Sequence, residues 1–294
     1  MKLEYRPENA PNEKEKEENI ENPLEQGLSV SEQMLKQAEK MKDKPLKDKL
    51  AYFWEYYKMP FIGVIVGIII VFSIIKAMVT AKDNCFVAML VNSANIDTIK
   101  MSESFGEYAG LDLKKYDCYI DANDPENLLN SNASEYGAAT RFTALLSAAD
   151  LDCVVYDSVV FNNKAVNDVF FDLRTVLSDE DVKRFEKDFY YVDRDTQKKV
   201  SEDLSFEGAY NSTRGTVEEQ KEDLEKHMDP SSMVDPIPVG IVIINSPMVK
   251  KIDSYFELFP VFAIPQNTQR LDTAIAFLHY INDDSVDFTA MRQY

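Results

Sequence analysis

The residues that could do chemistry are few. The 294-residue chain holds two histidines, His227 and His279, and three cysteines, Cys85, Cys118 and Cys153. A His-rich zinc site is out of reach of one chain with two imidazoles, and a Ser–His–Asp triad would have to use one of them. Neither lies beside a nucleophile motif: His227 sits in a charged stretch and His279 beside an apolar helical face. Each cysteine falls in a strand-like run without CxxC spacing, which reads as a small buried hydrophobe. Outside a cell the odd count also allows one disulfide and one free thiol. Residues 121–126 (DANDPE) and 282–287 (NDDSVD) cluster oxygen donors suited to calcium, but lack the Gly and distal Glu of an EF-hand loop and read as solvated turns. With no Walker loop, dinucleotide fingerprint or catalytic carboxylate pair, the expectation is a non-enzyme without metal or cofactor.

Binding is the chemistry that remains, and its placement depends on the elements. Residues 85–91 (CFVAMLV), 116–122 (YDCYIDA) and 152–156 (DCVVY) read as strands. Between them lie a short helix near 103–109 and a longer one over 134–149, with Ala138, Phe142, Leu145, Leu146 and Ala149 on one face. This βαβαβ order predicts an α/β domain with a mainly parallel sheet covered by helices. Such sheets bind ligands beyond the carboxyl ends of their strands. Those positions carry Asn92, Ser93, Asp121, Asn123, Asp157 and Ser158, which suit a hydroxylated or amine-bearing solute and suit ordinary loop capping equally well in kind. Farther on, the capping box at 178–181 opens a helix expected to carry Val182, Phe185 and Phe189 on its face, and residues 216–219 open another through about Met228. Strands are expected at 239–244 and 259–264, and a final helix at 272–281.

The domain is expected to be held at a membrane. From Met59 to Val79 the chain is apolar apart from Ser73, Lys76 and neighbouring small residues, a length of about 31 Å at the helical rise. Pro60 is expected at the first turn, where its missing N–H costs least. Trp54, Tyr56, Tyr57 and Lys58 form an interfacial belt on one side, and Lys76 can reach the interface on the other. Lys36, Lys40, Lys42, Lys44, Lys47, Lys49 and Lys58 precede the span, against Lys76, Lys82 and Lys100 after it. The expected topology is therefore N-terminus cytoplasmic and C-terminal domain extracellular, through an uncleaved single-pass anchor. Gly63 and Gly67 form a GxxxG pair that can bring two such helices together as a homodimer. The organisation reads as a disordered tail (1–30), a basic juxtamembrane helical segment (31–58), the span (59–81) and the external domain (82–294).

Charge sorts along the same boundary. The formal net charge is −19, with 51 acidic and 32 basic residues. Through Lys82 acids and bases balance, so the whole excess belongs to the external domain. Such a surface excludes general nucleic-acid binding, and it favours cationic or neutral partners.

Several segments carry a resemblance. LDCVVYDSVVFNNKAVNDVFFDLRTVLSDEDVKRF, PIPVGIVIINSPMVKK and FELFPVFAIPQNTQRLDTAIAFLHYI resemble segments of the extracellular solute-binding proteins of bacterial ABC importers. The element Tyr52-Phe53-Trp54-Glu55-Tyr56-Tyr57-Lys58 resembles one found ahead of the span in single-pass membrane proteins of Clostridia. The resemblance implies a reduced periplasmic-binding-protein fold, smaller than the usual two lobes and tethered by a helix. Two functions follow as expectations: a membrane-anchored, non-catalytic module that binds a small solute, or an assembly subunit that binds another envelope protein.

Overall fold

The computed structural model describes residues 42, 45–80, 82–123, 125–126, 135–202 and 214–293. The expected tail, its helix before Pro45 and the side chains of Tyr56 and Tyr57 lie outside this description. The chain divides into two units, Met1–Ala81 and Lys82–Tyr294.

The first unit contributes α1, Leu46–Thr80, one continuous helix of 35 residues. Its stretch Lys58–Thr80 is long and apolar enough to cross a membrane, and its large apolar side chains are exposed. Trp54 is 61% exposed, and an added Cβ at Gly63 or Gly67 would meet nothing. Pro60 stands inside α1, not in its first turn. The helix begins upstream because residues 46–57 contain no breaker, so one backbone carbonyl is left unpaired beside the aromatic belt.

The second unit opens on β1 (Asn84–Leu90), α2 (Thr98–Tyr108), β2 (Asp117–Ala122), α3 (Glu135–Ser147), β3 (Cys153–Asp157) and α4 (Ser158–Ala165). It continues through α5 (Asp179–Phe185), β4 (Phe189–Asp193), α6 (Arg194–Glu202), α7 (Val217–Met228), β5 (Pro236–Val242), α8 (Pro247–Ile252), β6 (Pro260–Ala263) and α9 (Leu271–Ile281). Six strands form one sheet in the order β2-β1-β3-β6-β5-β4. β1 runs parallel to both β2 and β3, as the βαβαβ pattern predicts. The β3–β6, β6–β5 and β5–β4 pairs are antiparallel. The sheet is therefore mixed, which corrects the mainly parallel expectation.

Beyond α4 the chain leaves the regular βαβ alternation: the connection from β5 to β6 holds only the six-residue helix α8, and β6 runs antiparallel to β5. A second difference is β4. Phe189 does not continue the helix opened at Ser178; α5 stops at Phe185 and Phe189 begins a strand.

The run of β1 is apolar because both of its faces are covered. Phe86, Ala88 and Leu90 meet Met101 and Phe105 of α2, Met248 of α8 and Phe277 of α9. Val87 and Met89 belong to a buried cluster with Phe142 of α3, Phe161 of α4 and Leu224 of α7. The result is a three-layer α/β/α domain. With α2 and α3 on opposite faces, the crossovers part at β1 and β3, which defines a topological switch point.

Gly240 is fixed by close approach. A Cβ there would lie 2.5 Å from Val261 Cγ1 and 3.0 Å from Phe161 Cζ, both in the core. Gly240→Ala should cost about 1–3 kcal/mol of stability through overpacking. Urea unfolding of the detergent-solubilised chain, followed by tyrosine near-ultraviolet circular dichroism, checks this; an unchanged midpoint refutes it.

At the amino ends of the parallel strands a second feature locks the layers. Asp152 is fully buried and accepts from Val87 N (2.8 Å), Thr268 Oγ1 (2.6 Å) and Arg270 Nε (2.7 Å). Arg270 also donates to Asp150 Oδ1 (2.8 Å) and to the carbonyls of Asp150 and Asn84.

Candidate functional site

The carboxyl ends of β1, β2 and β3 bring the predicted polar residues close together. Asn92 and Asn123, which follow β1 and β2, both adopt left-handed backbone (φ 59° and 67°), a conformation that asparagine tolerates. Each then uses its side-chain amide as a substitute strand partner. Asn92 Nδ2 donates to Glu126 O (2.9 Å) while its Oδ1 accepts from Glu126 N (2.6 Å). Asn123 treats Ile96 the same way, donating to its carbonyl (2.9 Å) and accepting from its N–H (3.2 Å). Ser93 Oγ donates to Leu90 O (2.6 Å) and accepts from Asn123 N (3.0 Å). Asp121 pairs with Arg141 of α3. Ser158 is buried and its backbone N–H donates to Phe259 O.

Asp157 is the centre of the group. Its side chain is 1% exposed, and it caps α4 through Val160 N. Oδ2 takes Asn92 Nδ2 (2.6 Å), and Arg214 places NH1 2.6 Å from Oδ1 and NH2 3.4 Å from Oδ2. Beside it lies a second buried carboxylate, Glu126. Tyr156 OH donates to Glu126 Oε2 (3.0 Å), and Lys164 Nζ is 2.7 Å from Oε1. The Lys164 ammonium also stands over the rings of Phe142 and Tyr156, at 5.2 and 5.7 Å. Burial first, and then the Glu126 charge, push the Tyr156 phenol well above its ordinary value. It therefore acts as a fixed donor.

Sequence reasoning found Asn92, Ser93, Asp121, Asn123, Asp157 and Ser158, named Glu126 only within the 121–126 oxygen cluster, and passed over Tyr156, Lys164 and Arg214. These four complete the network: two buried carboxylates face two cations, so formal charge balances. Every one of the six predicted positions is engaged within the chain. A ligand that used Asp157 would have to displace Arg214.

The histidines are also committed. His279 Nε2 lies 2.7 Å from Asp181 Oδ1, while Ser178 Oγ donates to the other oxygen, Oδ2 (2.7 Å). The carboxylate, not the imidazole, stands next to the hydroxyl. A base-activated serine needs the opposite order. His227 stacks on Tyr190 (4.4 Å, 10°), and its Nδ1 lies 2.9 Å from Tyr191 O. Burial pushes its imidazole below the ordinary value of 6.5. On acidification the unfolded chain takes up this proton first, so the stabilising effect of the neutral ring is intact above about pH 6.5 and is lost as pH falls. His227→Phe keeps the stack and should flatten the fall of the unfolding midpoint between about pH 7 and 5. An unaltered slope by circular dichroism would refute it.

Of the two calcium-like segments, 282–287 behaves as a turn, whereas Asp121 and Ala122 end β2 and Asp124 lies outside the described residues. Asp283 and Asp287 cap Ser285 N and Thr289 N. Among the described residues no group of three or more His, Cys, Asp or Glu is placed to hold a metal. Cys153 is buried and Cys85 and Cys118 half-buried, all as free thiols.

A surface of different character flanks the edge strand. α2 and β2 enclose a hollow of about 350 Å³ lined by Thr98, Ile99, Ser102, Leu113, Tyr116 and Tyr119, among others. Ile99 is 72% exposed and Tyr119 47%. Among the described strands β2 is the end member of the sheet, next to β1.

No family model, curated protein or solved structure matches the chain.

Proposed function

We propose that the chain is a single-pass, membrane-anchored binding module without catalytic function, and that its external domain engages another protein of the cell envelope. One observation carries the reading: the polar residues at the switch point satisfy one another, whereas the open α2/β2 hollow presents exposed apolar groups at one side of the sheet. A protein partner seated on that hollow would bury Ile99 and cover the ring of Tyr119. This favours the assembly role over a small solute held at Asn92 and Asp157. The solute-binding resemblance then describes an ancestry-like likeness of segments and does not assign a ligand.

The anchor is α1, with the lipid bilayer as its partner and the N-terminus cytoplasmic on the lysine asymmetry. Self-association through Gly63 and Gly67 would bring two external domains together. Two measurements test the proposal. A photo-crosslinking residue at Ile99 or Tyr119 in intact cells should trap the same envelope protein, while one at Val234, which is 82% exposed, should not. Crosslinks that ignore position, or a solute whose saturable binding requires Asn92 and Asp157, would overturn the assembly reading. For topology, Val234→Cys should react with an impermeant maleimide on intact cells and Lys42→Cys after permeabilisation alone; the reverse pattern overturns the orientation.

A further inference from the structure

The three cysteines stand on three neighbouring strands, and the sheet order decides which of them can meet. β1 lies between β2 and β3, so Cys118 and Cys153 are separated by about two strand spacings, or roughly 9–10 Å. Cys153 is the register partner of Ala88, three residues and about 10 Å along β1 from Cys85. Cys85 and Cys118 are closer. Phe86, the residue after Cys85, is the register partner of Cys118. One strand spacing combined with one residue of rise puts the two Cα atoms about 6 Å apart, inside the roughly 4.4–6.8 Å that a disulfide spans.

The side chains are aimed by a bulge. The ladder slips between Asn84 and Phe86, which makes Cys85 the extra residue and breaks the alternation that would turn it away from Phe86. Cys118 packs against the cluster that contains Phe86. Cys85 Sγ reaches β2, where it donates to Asp117 O (3.3 Å), the carbonyl bonded to the Cys118 nitrogen. Both thiols are half-buried. We propose that Cys85 and Cys118 form a modification site, a disulfide made in oxidising surroundings that ties β2 to β1 and leaves Cys153 as a thiol. Those surroundings follow from the external placement proposed above.

The oxidant is a small disulfide, RS–SR. Burial raises both thiols, that of Cys118 to about 12, so Cys85 is the first nucleophile. Its thiolate attacks one sulfur of RS–SR, that S–S bond breaks, and the departing thiolate takes up the proton Cys85 lost. The Cys118 thiolate then attacks Cys85 Sγ in the mixed disulfide, and its proton leaves with the second RSH. Two electrons pass from the protein thiols to the oxidant, giving one protein disulfide and two RSH. Cys118 lines the α2/β2 hollow, so the bond also fixes one wall of the surface proposed for docking.

Oxidised glutathione, added to the full chain in detergent micelles at about pH 8.5, tests the pair whichever side of the membrane the domain occupies. After alkylation under denaturing conditions, the intact mass should show two of the three thiols lost and no glutathione retained. Peptide mapping should join Cys85 to Cys118, and dithiothreitol should restore all three thiols. Cys118→Ser should stop at a glutathione adduct on Cys85. Three thiols kept by the parent, a lasting glutathione adduct on it, or a disulfide that includes Cys153 or joins two chains would each overturn the pair. Labelling at Val234→Cys reads orientation independently, so pairing and topology fail separately.

Discussion

Asp152→Ala should lower the stability of the external domain by roughly 2–4 kcal/mol, because it takes the buried counter-ion from the half-buried Arg270 guanidinium and leaves the Val87 N–H unpaired. The carboxylate is fully buried and serves three donors from two parts of the chain: Val87 in β1, and Thr268 and Arg270 in the segment that leads into α9. Its removal would leave Arg270, with 22% of its side chain exposed, holding Asp150 and two carbonyls without its buried counter-ion. The double variant Asp152→Ala/Arg270→Met separates causes. If the stranded charge dominates, the double variant is more stable than Asp152→Ala alone; if lost packing dominates, it is less stable. Near-ultraviolet circular dichroism of the tyrosines is the suitable probe, since the single tryptophan, Trp54, lies in α1. Burial raises the Asp152 carboxyl above its ordinary value, against the pull of Thr268, Arg270 and Val87. The native state therefore takes up this proton more readily than the unfolded chain. Asp152 resists acid unfolding, whereas His227 promotes it.

How far the sequence reached depends on the range of the interaction concerned. The membrane-length helix was legible because an apolar run is a local property, and so were β1 and β3, whose apolar stretches follow from coverage on both faces. β4 was hidden by a coincidence of spacing: Phe185 and Phe189 are four apart, as on a helix. The run Phe189-Tyr190-Tyr191-Val192, aromatic and β-branched, carried the better signal. The directions of β1, β2 and β3 followed from the βαβαβ order, whereas those of β4, β5 and β6 were not legible, since alternation says which residues are buried and nothing about which way the chain returns. At the candidate site the strand-end residues were found because fold class places them there. Their partners were not. Arg214 meets Asp157 across 57 positions and Tyr156 meets Glu126 across 30, and no periodicity encodes a bond over such distances. The polar positions were therefore readable as a place, but whether that place was vacant or filled from within depended on tertiary contacts.

The filled state of that place has its own consequence at Asp157. Removing either member of the Asp157–Arg214 pair should be unequal in cost, and the inequality follows from what each deletion leaves behind. Arg214→Met would leave Asp157, 1% exposed, with Asn92 Nδ2 and the α4 cap as its remaining donors. A buried anion without its cation typically costs about 3–5 kcal/mol. Asp157→Asn would leave Arg214, which is 28% exposed and can turn toward water and the acids of α7, while the asparagine still caps α4. Its expected cost is about 1–2 kcal/mol. If the switch point were a solute site temporarily plugged by Arg214, Arg214→Met would free it, and a cationic solute would bind Asp157 and restore the lost stability by mass action. If the network is structural, as the assembly reading requires, agmatine, which carries an alkylammonium and a guanidinium, should raise the Arg214→Met unfolding midpoint by no more than it raises the parent's. Unfolding both variants with and without agmatine thus measures the pair and decides whether the polar cluster at the strand ends is a vacancy held shut or part of the core.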